Sequence, residues 1–398
     1  MGTAGLLGYL EDCRVLALQE IQRIIPAAQR EASPLYALML DYPLREAKGL
    51  RPALCIATCR ALGGKLYAVV RSAAVLELFH NAFLIHDDIE DGSLMRRGSP
   101  TLHRTHGLPI AVNVGDAMLA IALQPLLDNV AVLGLGPALR ILQAVARMTR
   151  ESVEGQALEL EWIRSGTLDV TDDGYVRMVE QKTAWYSFIT PVTVGAITAR
   201  APQERIDALA AFARSLGIAF QIQDDVLNLR GQEAAYGKES AGDLWEGKRT
   251  LMLLHMLRGA SKAERQEVAR ILRLPRPEEP SGPPPGEGAA APDTPATGPE
   301  ALLARLVEEG ELTSRGEALL RDTLRAHGTS GPVKTEADVR FLLSLIEREG
   351  SIDYAQAVAR RQAEDAEQRL EACREWLPPS VHSQLLDALV AYVLSRAR

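Results

Sequence analysis

Apolar residues recur at three- and four-residue spacing along almost the whole chain, and alternating apolar–polar runs bounded by turn residues are scarce. A period near 3.6 puts those residues on one face of a helix, whereas a half-buried strand needs a period of two. The pattern runs through residues 10–25, 50–62, 138–163, 206–229 and 302–324. Residues 73–85 and 117–127 are apolar nearly all round, as helices at the centre of a bundle are. The chain is therefore predicted to be all-α. At 398 residues, 47% of them hydrophobic, it has core enough to need no disulfide staples.

Charge and cysteine usage narrow the function classes. The net charge is −8, from 44 Lys and Arg against 52 Asp and Glu, which disfavours a general nucleic-acid binder. Four cysteines in a chain this long make no disulfide framework. Cys55 and Cys59, one turn apart with no companion ligand, read as packing, as do Trp162, Trp185, Trp245 and Trp376. No uncharged apolar run of about 18 residues occurs, so no transmembrane helix is expected. The N-terminus lacks a basic region and meets Glu11 and Asp12 early, unlike a secretory signal. Leu6 stands where N-myristoylation needs Ser or Thr. A cytoplasmic protein is the expectation.

The most informative run is HNAFLIHDDIEDGSLMRRG, which begins at His80. On a helix Asp87 and Asp91 share a face, and Asp88 lies about 100° round from Asp87. Three carboxylates this close repel one another unless something cationic joins them. Mg2+ fits that role, since it takes oxygen from one or two carboxylates plus substrate phosphates. The acidic triplet continues an apolar helix, expected to be buried, and Arg96 and Arg97 follow within a few residues. Anion capture is thus a better account than a solvated helix end.

At Phe220 the chain reads FQIQDDVLNLRG, where Asp224, Asp225 and Asn228 repeat the i, i+1, i+4 spacing at the end of another apolar helix. Two such clusters facing each other across a cavity suit several Mg2+ ions around a diphosphate, which neutralise the leaving group as its bond to carbon breaks.

From residue 38 to 254 the sequence resembles the trans-isoprenyl diphosphate synthases, or polyprenyl synthetases. DDIED followed by RRG is similar to that family's first Asp-rich motif, and QDDVLN to its second. The resemblance implies a single helical bundle around a central cavity, the isoprenoid synthase type of fold. It implies joining of isopentenyl diphosphate to an allylic diphosphate, with three Mg2+ ions and a homodimer. Site residues carry over position by position. Lys48 and Arg51 of KGLRP, with His80 and Arg97, match the grip on the isopentenyl diphosphate. Arg96 matches a contact to the allylic diphosphate. Lys182 and Thr183 in QKT, Gln221, Lys238 in YGK and Lys248 in EGKRT match the remaining diphosphate-side residues. Asp87, Asp88, Asp91, Asp224, Asp225 and Asn228 match the metal-binding positions, although the family's second motif commonly ends in Asp where this chain has Asn228.

By the same resemblance, ionisation of the allylic substrate is assisted by Lys182 and Lys238, the isopentenyl double bond attacks C1, and the departing diphosphate takes the final proton. Ala82 and Phe83 stand fifth and fourth before Asp87, with Phe79 one turn below Phe83. A bulky residue stacked on another is expected to stop a prenyl tail at C15 to C20, with C20 preferred. A class I terpene cyclase on the same fold is the nearest alternative, but it has no need of Lys48, Arg51, His80 and Arg97. A non-catalytic synthase subunit is a remoter one, and it would be expected to have lost the carboxylates retained here.

One stretch breaks the helical pattern. Residues 275–299, PRPEEPSGPPPGEGAAAPDTPATGP, have too little apolar surface to pack and too many prolines for a helix, and are predicted to be a flexible, partly extended loop. The expected organisation is a catalytic bundle over 1–274 carrying both acidic motifs, this loop, and helices within 300–398 that complete the same bundle.

Overall fold

The computed structural model describes residues 1–230, 241–277, 306, 313, 316 and 332–395. Fifteen of its helical segments are used below: α1 (Thr3–Ile24), α2 (Leu50–Ala61), α3 (Leu66–Glu90), α4 (Leu108–Ile121), α5 (Leu123–Leu133), α6 (Leu135–Ser165), α7 (Asp172–Val179), a π-helix (Glu180–Ile189), α8 (Thr190–Thr198), α9 (Gln203–Arg230), α10 (Leu251–Gly259), α11 (Lys262–Arg273), α12 (Glu336–Arg348), α13 (Ser351–Ala372) and α14 (Val381–Ser395). Among the described residues the one sheet is a hairpin, β1 (Met95–Arg96) with β2 (Ser99–Pro100), in which Arg96 faces Ser99. The all-α expectation holds.

The chain divides into two units, Met1–Arg273 with Val339–Arg398, and Leu274–Asp338. In the second, the Lys334 N–H donates to the Pro275 carbonyl at 2.8 Å. Of the predicted loop at 275–299 only residues 275–277 are described, and the predicted helix at 302–324 likewise lies almost wholly outside the described residues.

In the first unit α3 is the central helix. It packs against α1, α2, α4 and α5, and Ala73, Val75, Leu76, Leu78, Phe79, Ala82 and Ile85 are all buried. That all-round burial is what its uniformly apolar sequence requires. α9 lies along α13, α8 and the π-helix, so a helix from near the C-terminus packs on the one that carries the second acidic cluster. The four cysteines are free and buried, and burial holds the Cys55 thiol well above its usual range. They pack, as expected.

By length and composition alone, two stretches could cross a membrane, Leu66–Glu90 and Leu108–Leu133. Both are weak candidates, and no clear transmembrane segment emerges among the described residues. The most apolar window of the first is 72% buried inside the protein, which accounts for its composition; that of the second is 39% buried.

Candidate active site

The acidic ends of α3 and α9 both line one cavity of about 350 Å3. Its walls include Asp87, Arg96, Lys182, Thr183, Gln221, Asp224, Asp225 and Lys248, so most of the diphosphate-side and carboxylate positions identified from sequence converge there. None of the four tryptophans lines it.

Local backbone geometry explains how the basic residues reach it. Between β1 and β2 the chain reverses through Arg97 (φ 51°) and Gly98 (φ 74°), the two positive φ angles of a tight hairpin turn. Gly98 adopts this freely, whereas Arg97 does so against the preference of an L side chain. The turn sends Arg96 to Asp88, and sends Arg97 to the Tyr42 carbonyl at 3.0 Å and His80 Nε2 at 3.3 Å. Across the cavity, Lys182 and Thr183 stand on the π-helix, whose wider turns displace side chains from α-helical register. Two glycines admit that broader helix: a Cβ on Gly155 of α6 would come within 2.3 Å of the Lys182 nitrogen, and one on Gly217 of α9 within 2.8 Å of Ala184.

The carboxylates divide by environment. Asp87 lines the cavity, with Lys182 Nζ at 3.1 Å and Arg96 Nη2 at 3.8 Å. Asp91 is held by Lys248 Nζ at 2.6 Å. Burial and the charge of Asp87 push its pKa up to about 7, while the Lys248 ammonium pulls the other way. Asp225 accepts from Tyr175 Oη at 2.6 Å and Gln221 Nε2 at 2.7 Å. Burial still raises its pKa to about 7, against the pull of those two bonds.

Three metal-ligand candidates, Asp88, Asp91 and Asn228, do not line the cavity; the Asp91 side chain is buried against Lys248. Asp88 is fully buried, does not line the cavity, and accepts from Tyr42 Oη at 2.6 Å and from the Arg96 guanidinium. Its place one position round the helix turns it into the protein, where it orients Arg96. Asn228 is also buried away from the cavity wall, and its Oδ1 accepts the Asp243 N–H at 3.1 Å. Among the described residues no group of three or more His, Cys, Asp or Glu side chains stands in metal-ligating geometry. Pairs of carboxylates at the cavity wall nevertheless match Mg2+, which takes only one or two and completes its shell with water and substrate phosphate.

The cations are held in readiness by acids. Lys182 binds Glu159 at 2.5 Å as well as Asp87, and Lys248 binds Glu246 at 2.6 Å as well as Asp91. Burial opposes the charge on each lysine, but these carboxylates outweigh it and hold both pKa values above the usual range. Thr183 Oγ1 donates to Gln221 Oε1 at 2.9 Å. Lys238 lies outside the described residues.

A second basic group lies beside the cavity. Arg51 donates to Ser187 Oγ at 2.7 Å and its guanidinium sits 4.7 Å over the Tyr186 ring. His80 also stacks on Tyr186, with centroids 5.8 Å apart, and burial together with Arg51 and Arg97 keeps the His80 pKa well below the usual value. Lys48 is exposed, 5.4 Å over the Tyr392 ring of α14. Arg51 Nε and His80 Nδ1 have no hydrogen-bond partner, so a basic group with spare donors adjoins the cavity through Tyr186.

Of the chain-length candidates, Phe83 lines the cavity, edge-to-face with Tyr186 at 5.6 Å. Phe79 lies behind it at 6.1 Å, and Ala82 is fully buried and off the cavity wall. The sequence reading did not single out Tyr42, Glu159, Tyr175, Tyr186, Asp243 or Arg249. Glu159 left one sign, a carboxylate on the inward face of an amphipathic helix.

Comparison with known proteins gives the same picture. A polyprenyl synthetase family model matches residues 33–281. The short chain isoprenyl diphosphate synthase of Methanothermobacter thermautotrophicus is 32% identical over 75% of this chain and 84% of its own. The geranylgeranyl pyrophosphate synthetase of Pyrococcus horikoshii superposes with a TM-score of 0.75 at 26% identity, covering 98% of both chains. A geranylgeranyl pyrophosphate synthase of Corynebacterium glutamicum, solved with isoprenyl diphosphate and magnesium, gives 0.70 at 25% identity over 98% of this chain and 99% of that one.

Proposed function

This chain belongs to the polyprenyl synthetase family, and from that premise we propose how its residues divide the work of a prenyltransferase that extends an allylic diphosphate with isopentenyl diphosphate. The observation that carries the reading is the pairing of a cavity walled by Asp87, Asp224, Asp225, Lys182 and Lys248 with a separate basic group at Arg51, His80 and Arg97. Two anionic substrates need two cationic sites, and only a condensing enzyme needs both; a cyclase takes one.

In this reading Arg51, His80 and Arg97, with Lys48 at the rim, hold the isopentenyl diphosphate. Arg96, Lys182 and Lys248 face the allylic diphosphate. Asp87, Asp91, Asp224 and Asp225 would hold Mg2+, which when bound neutralises the developing charge on the leaving diphosphate. Lys182 stabilises that group as the C1–O bond breaks heterolytically, helped by its fixed place between Asp87 and Glu159. The isopentenyl double bond then forms the new bond to C1, and the departing diphosphate takes the proton that restores a double bond. No protein nucleophile takes part. The apolar cavity wall at Phe83 and Leu84 shields the allylic cation from water.

The product we favour is C20, with Phe83, backed by Phe79, walling the tail on the α3 side. Three Mg2+ ions and a cytoplasmic location belong to the same reading. So does a homodimer: Leu108, Ile110, Leu123, Leu127, Val130 and Leu135 on α4, α5 and the start of α6 are large, apolar and exposed, as at a protein–protein interface. A second copy of the chain is the expected occupant. The loop at 275–299 is read as an insertion in one catalytic bundle that residues 300–398 complete.

The test is diphosphate release measured with each substrate alone and with both. Release that requires Mg2+, isopentenyl diphosphate and an allylic diphosphate together supports the reading, and release from the allylic substrate alone, with a cyclised product, contradicts it. Leu127→Glu should convert a dimer to a monomer in sedimentation velocity; an unchanged sedimentation coefficient would refute this face as the contact.

A further inference from the structure

Below the level of Phe83, the depth of the cavity is set by the opposite helix. α6 runs unbroken past the site, and Glu159 marks the diphosphate level on it by holding Lys182 beside Asp87. Ser152 and Thr149 line the cavity further down the same helix face. One turn beyond them Val145 is buried in the core and no longer lines it. At a rise of about 1.5 Å per residue, Ser152 lies about 10 Å and Thr149 about 15 Å below Glu159. An isoprene unit of four bonds, each near 1.5 Å, advances roughly 5 Å along an extended tail. The two residues therefore stand about two and three isoprene units from the diphosphate. Both are small, and the buried Ser152 hydroxyl bonds to no neighbouring group, including the carbonyls of its own helix.

We infer that Ser152 and Thr149 of α6 determine product length as successive stops on the tail cavity, with Thr149 the terminal one. The inference rests on the prenyltransferase reading and refines it. A C15 primer ends at Thr149 and is extended once to C20, whose tail is too long to bind again as primer. α3 then contributes the side wall through Phe83, and α6 contributes the ruler.

The test gives the full-length enzyme a C5 primer with excess isopentenyl diphosphate and resolves the products by chain length. Thr149→Phe should end one isoprene unit short of wild type, and Ser152→Phe two units short. Thr149→Ala should lengthen the product, and Ser152→Ala should not shorten it. Diphosphate release with the C5 primer should stay within about tenfold of wild type in all four. Wild-type length in both Phe variants, or a shorter product from Thr149→Phe than from Ser152→Phe, would overturn the inference. If thermal melting shows that the Phe variants do not fold, Leu at the same positions carries the same expectation and the same refutation. A wild-type enzyme that makes no linear prenyl diphosphate overturns the underlying reading instead.

Discussion

Asn228 Oδ1 accepts the Asp243 backbone N–H at 3.1 Å, and the Asn228 carbonyl accepts the Ala241 N–H at 2.9 Å. Through these two bonds the end of α9 holds the following turn, so that Asp243 lines the cavity with Asp224 and Asp225. The amide that replaces the family's usual third aspartate thus positions a neighbouring carboxylate. Asn228→Leu should cost about 1–3 kcal/mol of stability through the unsatisfied Asp243 N–H. It should also raise the Mg2+ concentration needed for half-maximal activity. Asn228→Asp keeps an acceptor and should match wild type in chemical denaturation. Equal Mg2+ curves for wild type and Asn228→Leu would show that the bond does not serve the site.

Asp87 and Asp88 are neighbours in sequence with opposite duties. Asp88→Asn leaves Arg96 buried without its carboxylate and should destabilise the fold by about 3–5 kcal/mol. Asp87→Asn, at the cavity wall, should leave the melting temperature nearly unchanged and lower kcat/KM instead. Denaturant unfolding of the two variants side by side checks this, and a larger stability loss in Asp87→Asn contradicts it.

Tyr175→Phe removes a hydroxyl that lowers the Asp225 pKa. Asp225 is surrounded by Tyr175, Gln221, Asp224 and Glu159, with burial already raising it to about 7. Losing the Tyr175 bond raises it further, so more of the carboxyl is protonated at pH 7. If ionised Asp225 is needed for activity, the acid limb of the kcat/KM profile moves to higher pH and activity at pH 7 falls. A profile that does not move, or moves to lower pH, refutes the assignment.

Lys182 Nζ stands 3.1 Å from Asp87 at the cavity wall and is fixed by Glu159. Lys182→Met should lower kcat by about 10²–10³-fold, the usual loss when one preorganised donor to a developing negative charge is removed. Loss confined to KM in steady-state kinetics would make it a binding residue only.

What could be read from the sequence is what repeats locally. The 3.6 period of residues 73–85 specified a central helix, and the i, i+1, i+4 spacing of two carboxylate sets specified one site between two helix ends. Long-range partners left no such trace. Nothing near Asp88 announces that Tyr42, 46 positions away, will turn it into the core. Nothing in EQKTAWYSFI distinguishes a π-helix from an α-helix; Gly155 and Gly217, on two other helices, leave room for it. In QDDVLN the Asn228 acceptor is visible, whereas its partner, the Asp243 N–H, is not.

The most direct test of the central claim is product analysis after incubation with Mg2+, isopentenyl diphosphate and, separately, each C5, C10, C15 and C20 allylic diphosphate. The account predicts a linear C20 prenyl alcohol that appears only after phosphatase treatment, only with isopentenyl diphosphate, and from the C5, C10 and C15 primers but not the C20 one. A hydrocarbon or cyclic alcohol formed without isopentenyl diphosphate would contradict it.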